Sequence, residues 1–257
     1  MNLKIKKFIK KKNFKNIVCL TAYSKSIAKI LDDFCDLILV GDSLANVLYG
    51  MKTTHNLKLE TMINHAKSVK LGVKKSLFVV DMPKDTYKNP KQALKNAKYI
   101  LKKTGCDAIK IENNSQNLNI IKILTKSKIN VMGHIGYTPQ FKKKFKVEGK
   151  NKSTQIKLLK HAQKIEKAGA FSIVLECISK NSAKKITKSI KIPTIGIGSS
   201  NACDGQILVT DDLLGASGFY PKFVKKYANL ERIIKNAVKK FKSDVRLNKF
   251  PSNKYSF

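Results

Sequence analysis

Short apolar runs alternate with amphipathic segments along most of this 257-residue chain. Eight of the runs have the length and the β-branched composition of buried strands. The predicted strands are Ile17–Thr21, Leu37–Val40, Ser76–Val80, Ala108–Ile111, Asn130–Gly133, Phe171–Leu175, Thr194–Gly196 and Gln206–Val209. The predicted helices are Ser24–Asp33, Glu60–Leu71, Pro90–Thr104, Gln116–Ser127, Thr154–Ala168, Ser182–Ile190 and one within Lys222–Lys242.

This alternation predicts a single-domain (β/α)₈ TIM barrel over residues 1–257, because eight parallel strands with intervening helices fill about 250 residues. An open doubly wound sheet is the alternative, but no GxGxxG follows the first strand and no Walker motif is present. Two segments depart from the repeat. A long polar connection runs from Thr138 to Lys152, and loops of that length are usually functional or disordered. The tail from Ser243 to Phe257 lacks periodicity, so we expect it to pack loosely or to reach a neighbouring subunit.

The net charge of +35 is the unusual bulk property. Such a charge suggests nucleic-acid binding, but only Arg232 and Arg246 among the 52 basic residues are arginines, which suit bidentate phosphate and base contacts. Because lysines are spread over almost every segment, we interpret them as a compositional drift on solvated faces. Attraction of anionic substrates or of RNA is the alternative interpretation.

The five cysteines form neither a CxxC pair nor a zinc spacing, and they lie in or beside apolar runs. Buried, reduced thiols are therefore expected. No apolar stretch approaches the roughly 18–20 residues of a membrane span, and the basic start lacks the apolar core of a signal peptide. We expect a cytoplasmic protein.

Acidic side chains stand where successive predicted strands end. Asp42 follows the second strand, Asp81 the third and Glu112 the fourth. The C-terminal strand ends of a barrel meet at one rim, so these carboxylates are expected to converge and to raise each other's pKa values. A divalent cation relieves this repulsion, and an all-oxygen donor set favours Mg²⁺ or Mn²⁺ over zinc. A helix cap or a surface ion pair is the alternative for any single acid.

Three further residues at this rim are candidates for chemistry. Lys110 lies two residues before Glu112 and points to the same side of its strand, where it can neutralise a substrate carboxylate. Glu176 ends an apolar strand, and a carboxylate in that setting has a raised pKa that suits a general base removing a C–H proton. His134 lies next to Gly133 at a strand end, a position that favours close backbone approach to a ligand. A structural hydrogen bond or a buried ion pair is the alternative for each.

Several blocks between about Thr21 and Tyr220 resemble ketopantoate hydroxymethyltransferases. They are Val40-Gly41-Asp42-Ser43-Leu44, Lys110-Ile111-Glu112, Gly133-His134-Ile135-Gly136-Tyr137-Thr138-Pro139-Gln140, Leu175-Glu176-Cys177, Ile195-Gly196-Ile197-Gly198 and Asp204-Gly205-Gln206-Ile207-Leu208-Val209. The third and the last of these blocks are highly specific. Two dipeptides depart from the family pattern. Ala45-Asn46 stands where many members have Gly-Met, and Asn113-Asn114 stands where two glycines are common.

The resemblance implies a (β/α)₈ barrel that forms large homo-oligomers, often decamers, and acts in pantothenate biosynthesis. The implied reaction transfers a hydroxymethyl group from 5,10-methylenetetrahydrofolate to 3-methyl-2-oxobutanoate through a magnesium-stabilised enolate, giving 2-dehydropantoate. By position, the resemblance implies one Mg²⁺ per subunit at Asp42, Asp81 and Glu112, ketoacid contacts from Asp42, Ser43, Asp81 and Lys110, and Glu176 as proton acceptor. We add His134 to the expected substrate contacts from its place in the chain alone.

Two other functions stay open at this point. The isocitrate lyase and phosphoenolpyruvate mutase group shares the barrel and binds Mg²⁺–oxyacid complexes. Its lyases use a cysteine in a lysine- and glycine-rich loop, and the connection from Thr138 to Lys152 contains no cysteine. A basic nucleic-acid-binding protein would bind in a salt-sensitive way, and that binding would survive the loss of Asp42 and Glu176.

Overall fold

The computed structural model describes residues 2–14, 17–114, 117–142, 144–218 and 220–257. Eight parallel strands in chain order form a closed barrel, in which β8 pairs with β1 through Gly205 and Ile17. The strands are β1 (Ile17–Thr21), β2 (Leu37–Val40), β3 (Leu77–Asp81), β4 (Ala108–Glu112), β5 (Val131–Gly136), β6 (Ser172–Glu176), β7 (Thr194–Ile197) and β8 (Gly205–Leu208). The predicted TIM barrel is confirmed.

Helices occupy most of the connections. They are α1 (Leu3–Ile9), α2 (Lys25–Leu31), α3 (Leu44–Val47), α4 (Leu59–Lys70), α5 (Pro90–Thr104), α6 (Leu118–Lys126), α7 (Lys152–Lys167), α8 (Lys180–Ser189), α9 (Thr210–Leu214) and α10 (Leu230–Arg246). α5 has its predicted bounds because Asn89 caps its first turn by accepting from the N–H of Gln92, and Gly105 ends it with a φ of 62°. The short helices α1, α3 and α9 were not predicted. Gln116, where a helical segment was predicted to begin, lies outside the described residues.

Alternate residues along the strands feed two apolar layers. Leu37 and Leu39 of β2 belong to the cluster inside the barrel, whereas Ile38 and Val40 belong to the cluster that the surrounding helices share. Both sides of the strands from β2 to β7 are therefore largely buried, which explains their continuous apolar runs in the sequence, whereas β1 and β8 expose Val18 and Gln206. All five cysteines are free and buried, as expected.

α1 closes the N-terminal end of the barrel. Its two buried side chains, Ile5 and Phe8, belong to the cluster inside the barrel, and the Phe8 ring meets the Phe171 ring edge to face at 5.8 Å. Lysines flank both residues in the sequence, which obscured the apolar face of this helix.

The chain divides into two compact units, the first ending at Val209 and the second spanning Thr210–Phe257. Within the second unit, α10 continues to Arg246, beyond its predicted limit of Lys242. Part of the predicted tail then turns back, so that the Phe250 ring lies 5.5 Å from the Phe241 ring of α10. Within the described ranges, no helix is both long enough and apolar enough to cross a membrane.

Candidate active site

Pairing between neighbouring strands brings predicted site residues together at the C-terminal end of the barrel. Asp81, the last residue of β3, pairs with Lys110 of β4, and Glu112, the last residue of β4, pairs with His134 of β5. All four side chains are buried, as is that of Asp42, which follows β2. β5 runs on to Gly136, so His134 lies within the strand rather than after it.

Asp81 and Lys110 form a buried ion pair, with 2.5 Å between Lys110 Nζ and Asp81 Oδ1. The other oxygen of Asp81 accepts a hydrogen bond from the backbone N–H of Asp42 at 3.1 Å. Burial raises the pKa of Asp81 to about 6, because it outweighs the attraction of Lys110, and the charge of Asp42 adds to it. Burial acts to lower the pKa of Lys110, but the neighbouring carboxylates of Asp81 and Asp42 reverse this and raise the pKa, so the ammonium keeps its charge.

Gln140, in the connection after β5, contacts two of the acids. Its Nε2 donates to Asp42 Oδ2 at 2.8 Å, and its backbone N–H donates to Glu112 Oε2 at 3.0 Å. The hydroxyl of buried Tyr87 donates to Gln140 Oε1 at 2.5 Å. Neither Gln140 nor Tyr87 was assigned a role from the sequence. The specific block that ends on Gln140 was an available signal for that residue, whereas no pattern marked Tyr87.

His134 lies between two carboxylates. Its Nε2 is 3.2 Å from Glu176 Oε2 and its Nδ1 is 3.6 Å from Glu112 Oε1, although neither contact has the geometry of a hydrogen bond. Burial, and then the charge of Lys110, lowers the pKa of His134 well below its ordinary value, so the imidazole is neutral at neutral pH.

Glu176 ends β6, as predicted, and its carboxyl group is held in a poorly solvated position. Burial raises its pKa to about 8; the charge of Lys110 opposes the shift and that of Asp42 adds to it. Burial, followed by the charge of Asp42, also raises the pKa of Glu112 well above its ordinary value. The two glutamates therefore take up protons far more readily than exposed carboxylates do.

Gly136 allows β5 to lie against the backbone of Glu176. The N–H of Tyr137 donates to Glu176 O at 2.8 Å, and Gly136 itself has a φ of 103°, a conformation that residues with side chains rarely adopt. A Cβ at this position would overlap Glu176 O. The glycine spacing around His134 thus serves a backbone–backbone approach.

Ser43, a predicted ketoacid contact, shares a 2.8 Å hydrogen bond with the hydroxyl of Tyr23. Gly41 keeps this region open, because a Cβ there would lie 3.0 Å from Ser43 Oγ and 3.6 Å from Asp81 Oδ2. The structure therefore places Ser43 beside the acids, on the turn that follows β2.

Asn113, one of the departures from the family pattern, has a structural role at this rim. Its Oδ1 accepts from the backbone N–H of His134 at 3.1 Å. The next residues continue the network, since Asn117 Nδ2 donates to Glu112 O at 2.8 Å. Asn113 therefore ties the end of β4 to β5, and Asn117 holds the end of β4.

The donor set suits a hard divalent cation in charge and in chemistry. Asp42, Asp81 and Glu112 offer only oxygen atoms, and Glu112 Oε1 is buried without a hydrogen-bond partner. Three carboxylates lie near the one ammonium of Lys110 here, and burial raises the pKa values of Asp81 and Glu112. As they stand, no three His, Cys, Asp or Glu side chains in the described part of the chain form a group that could hold a metal ion.

Solved structures with the same barrel include a phosphonopyruvate hydrolase in complex with oxalate and Mg²⁺ and a 2,3-dimethylmalate lyase of the PEP mutase/isocitrate lyase superfamily. The hydrolase is 14% identical with a TM-score of 0.63, and the match covers 98% of this chain and 93% of the hydrolase. The lyase is 13% identical with a TM-score of 0.62, and the match covers 98% of this chain and 92% of the lyase. At this identity the likeness shows the fold alone.

Sequence relatives are much nearer. A 3-methyl-2-oxobutanoate hydroxymethyltransferase of Pelagibacter ubique is 55% identical over 257 residues, which is all of both chains. One from Anaplasma marginale is 47% identical over 96% of this chain and 90% of its own length. The model of the family described as ketopantoate hydroxymethyltransferase matches residues 2–253. The chain therefore belongs to the ketopantoate hydroxymethyltransferase family.

Proposed function

We propose that this protein transfers a hydroxymethyl group from 5,10-methylenetetrahydrofolate to 3-methyl-2-oxobutanoate, in the biosynthesis of pantothenate. The proposal is supported by relatives of that name along the whole chain and by the group of acids around Lys110 at the active end of the barrel. One new C–C bond forms between C3 of the ketoacid and the one-carbon unit. Water supplies the hydroxyl oxygen, and tetrahydrofolate and 2-dehydropantoate leave.

The observation that carries this proposal is the carboxyl group of Glu176, whose pKa is raised to about 8 by burial at the end of β6. A base removes a weakly acidic C–H proton best when its own pKa lies near the working pH. Glu176 accepts the C3 proton of the ketoacid in this proposal, and the electron pair left on the substrate attacks the one-carbon unit. Neutral His134, whose Nε2 lies 3.2 Å from Glu176 Oε2, contacts the substrate beside the base in this proposal.

The other residues bind and orient the ketoacid. Lys110 presents its ammonium to the substrate carboxylate while Asp81 holds it in place. Asp42 and Ser43 contact the same substrate from the turn after β2. A Mg²⁺ ion held by Asp42, Asp81 and Glu112, one per subunit, would supply Lewis-acid polarisation of the keto group. The folate carries the one-carbon chemistry, so the protein supplies orientation and electrostatics.

The proposal extends to assembly and location. We propose a cytoplasmic homo-oligomer, with the decamer that the family resemblance implies. Multi-angle light scattering of the purified protein gives its mass directly, to be compared with multiples of the 28.8 kDa chain. A mass of one chain at micromolar concentration would contradict the oligomer but not the reaction.

The reaction is tested in two halves. The protein is first incubated with Mg²⁺ and 3-methyl-2-oxobutanoate in D₂O, and loss of the C3 proton signal is followed by NMR, with and without tetrahydrofolate. Formation of 2-dehydropantoate from methylenetetrahydrofolate is then measured in H₂O. We expect metal-dependent exchange and product formation by the wild-type protein, and neither in Glu176→Gln.

Glu231→Gln is the matched control, because Glu231 is an exposed glutamate that pairs with Lys235 in the second unit. It should behave as the wild-type protein does. Exchange that persists in Glu176→Gln would reject Glu176 as the base. A folded wild-type protein with neither exchange nor product would reject the function.

A further inference from the structure

We propose that Gln140 is a positioning residue that orients the carboxylates of Asp42 and Glu112 for a divalent cation, and that Tyr87 locks Gln140 in the required orientation. This inference rests on the proposed function, because it concerns the same cation and the same reaction. It adds two residues to the site that contact neither the predicted base nor Lys110. We call Tyr87 and Gln140 the amide clamp.

Gln140 donates hydrogen bonds to the acids from both its side chain and its backbone. Its side-chain Nε2 donates both to Asp42 Oδ2 at 2.8 Å and to the carbonyl oxygen of Met82 at 3.1 Å. Its backbone N–H donates to Glu112 Oε2 at 3.0 Å. A single residue, itself buried, thus holds one oxygen of each of two neighbouring acids.

The neighbours permit only one orientation of the Gln140 amide. Met82 O and the carboxylate of Asp42 accept hydrogen bonds, so both must face the NH₂ group. With both amide hydrogens committed, Oε1 is left to face the hydroxyl of Tyr87, which donates to it at 2.5 Å. If the amide flipped, its oxygen would meet two acceptors and Asp42 would lose a donor.

Tyr87 is built to hold this orientation. It is buried, and its ring packs edge to face against that of Phe141, with 6.4 Å between the ring centroids. This packing fixes the position of the Tyr87 hydroxyl. Tyr87 precedes α5 and Gln140 precedes α7, so the hydrogen bond joins the connection after β3 to the connection after β5. His55 Nε2 adds a 2.9 Å contact with Pro139 O from the connection after β2.

The hydrogen bonds from Gln140 restrict the orientation of both carboxylates. Gln140 engages Asp42 Oδ2 and Glu112 Oε2, while Glu112 Oε1 is buried with no hydrogen-bond partner. Two like charges brought this close repel, and N–H donors on one oxygen of each limit how the carboxylates can turn away. Groups that orient metal-binding side chains in this way typically contribute 10- to 100-fold to metal affinity.

The test measures cation binding without substrate. Free Mn²⁺ is quantified by electron paramagnetic resonance in titrations of the wild-type protein, Gln140→Met and Tyr87→Phe. Methionine keeps the length of the side chain without its amide, and phenylalanine keeps the packing against Phe141. We expect the Kd for Mn²⁺ to rise by about 10- to 100-fold in Gln140→Met and by a smaller factor in Tyr87→Phe.

Kinetics separate positioning from a loss of fold. In Tyr87→Phe, saturating Mg²⁺ should restore most of kcat, while the Mg²⁺ concentration for half activation should stay raised. The matched controls are Gln155→Met on α7 and Tyr99→Phe on α5, which lie outside the site and should bind Mn²⁺ as the wild-type protein does. Thermal unfolding of all five proteins is recorded alongside.

The outcomes distinguish the two proposals. Wild-type Mn²⁺ affinity in both clamp variants, in a protein that exchanges the C3 proton, would overturn the amide clamp and leave the proposed function standing. A wild-type protein that binds no Mn²⁺ and catalyses no exchange would overturn both. Weakened Mn²⁺ binding in Gln140→Met and Tyr87→Phe, but not in the controls, supports the clamp.

Discussion

Acidic residues lie at both ends of this barrel, and their surroundings differ between the two ends. At the C-terminal end, Asp81 and Glu112 are buried and the Glu176 side chain is 18% exposed, and loss of solvation raises the pKa values of all three. At the N-terminal end, an aspartate immediately precedes each of the strands β2, β4 and β8, and it accepts a hydrogen bond from the backbone of the preceding strand in the barrel. These pairs are Asp36 with Val18 N at 2.9 Å, Asp107 with Phe78 N at 3.0 Å and Asp204 with Thr194 N at 2.8 Å.

Lysines of the N-terminal segment complete the second arrangement. Lys11 Nζ lies 2.5 Å from Asp36, Lys12 Nζ lies 2.8 Å from Asp204, and Lys4 lies 3.9 Å from Asp107. The same type of side chain therefore bonds to the backbone and to lysines at the N-terminal end, whereas at the C-terminal end it carries a raised pKa. This division matches the general separation of stability and chemistry between the two faces of such barrels.

Glu176→Gln gives the sharpest separation of the two ends. We expect kcat to fall by about 10²- to 10⁴-fold, the usual contribution of a general base. The free energy of unfolding should stay the same or rise, because the amide removes the cost of a buried charge. Steady-state kinetics and urea unfolding on the same preparation check both. A loss of stability without a loss of kcat would reverse the roles assigned to the two ends.

Asp204→Asn should do the opposite. It leaves Lys12, whose side chain is only 11% exposed, without its ion-pair partner. Breaking a buried pair in this way lowers the free energy of unfolding by about 3–5 kcal/mol, while kcat of the folded protein should be unchanged. Asp33→Asn, which breaks an exposed pair with Lys75, should cost less than about 1 kcal/mol. Equal effects of the two substitutions in urea unfolding would remove the distinction.

Gly136→Ala tests whether the backbone at the active end is as constrained as its acids. The new Cβ would overlap Glu176 O and adopt a strained φ, so we expect at least about 1–3 kcal/mol of destabilisation together with reduced kcat. Gly133→Ala is the comparison, because its Cβ would meet the Ile165 side chain at 2.7 Å, a group that can move. Crystal structures and kinetics of both variants would show whether only Gly136→Ala displaces Glu176.

The pH dependence of activity should follow the active end. Glu176 must be unprotonated to act as a base, and its pKa is raised to about 8. The value of kcat/KM should therefore climb about tenfold per pH unit below that value and level off above it. A profile that is flat between pH 6 and pH 9 would contradict Glu176 as the base.

Stability should respond to pH with opposite signs at the two ends. The pKa of Glu176 is higher in the folded state, so its contribution to stability falls as the pH rises from the unfolded value towards 8. Burial raises the pKa of Asp32, but N–H donors of Ser76, Lys75 and Lys74 outweigh burial and lower it. The contribution of Asp32 is therefore present above the unfolded pKa and lost as the pH falls through the folded one. Unfolding of Glu176→Gln and Asp32→Asn across pH would show these opposite trends.

Asn113→Gly should have the smallest effect. It restores the glycine common in the family and removes the acceptor for the N–H of His134. One lost hydrogen bond corresponds to about 0.5–1.5 kcal/mol of stability, with a change in kcat of only a few-fold. Hydrogen exchange of the His134 amide, compared between the two proteins, should report faster opening in the variant.

The strands and the acids could be located from the sequence, because most of the barrel strands are buried on both sides and end on polar residues. β1 and β2 have their predicted bounds, and Asp42, Asp81, Glu112 and Glu176 lie at the end where they were expected. The sequence did not reveal α1, because the apolar face of that helix consists of two residues among lysines. It also gave no role to Tyr87 and Gln140, since contacts between residues 53 positions apart have no local pattern.

The lysine-rich composition needed the structure as well. Its interpretation as a drift on solvated faces concerns the chain as a whole, and the composition alone does not distinguish Lys12 from its neighbours. Lys12 contacts a buried aspartate only because the barrel closes on itself. The amide orientation of Gln140 follows likewise from three partners on two other connections.

The packing of α1 against the N-terminal end of the barrel affects the order in which the chain folds. α1 is synthesised before the barrel strands, yet Lys12 and Asn13 contact Asp204, which follows them by 192 and 191 residues. β1 likewise pairs with β8, which is the last barrel strand to be synthesised. Contacts of such long range form late and slow the folding of a domain. On the ribosome, Ile5 and Phe8 therefore remain without their barrel partners until almost the whole first unit has emerged.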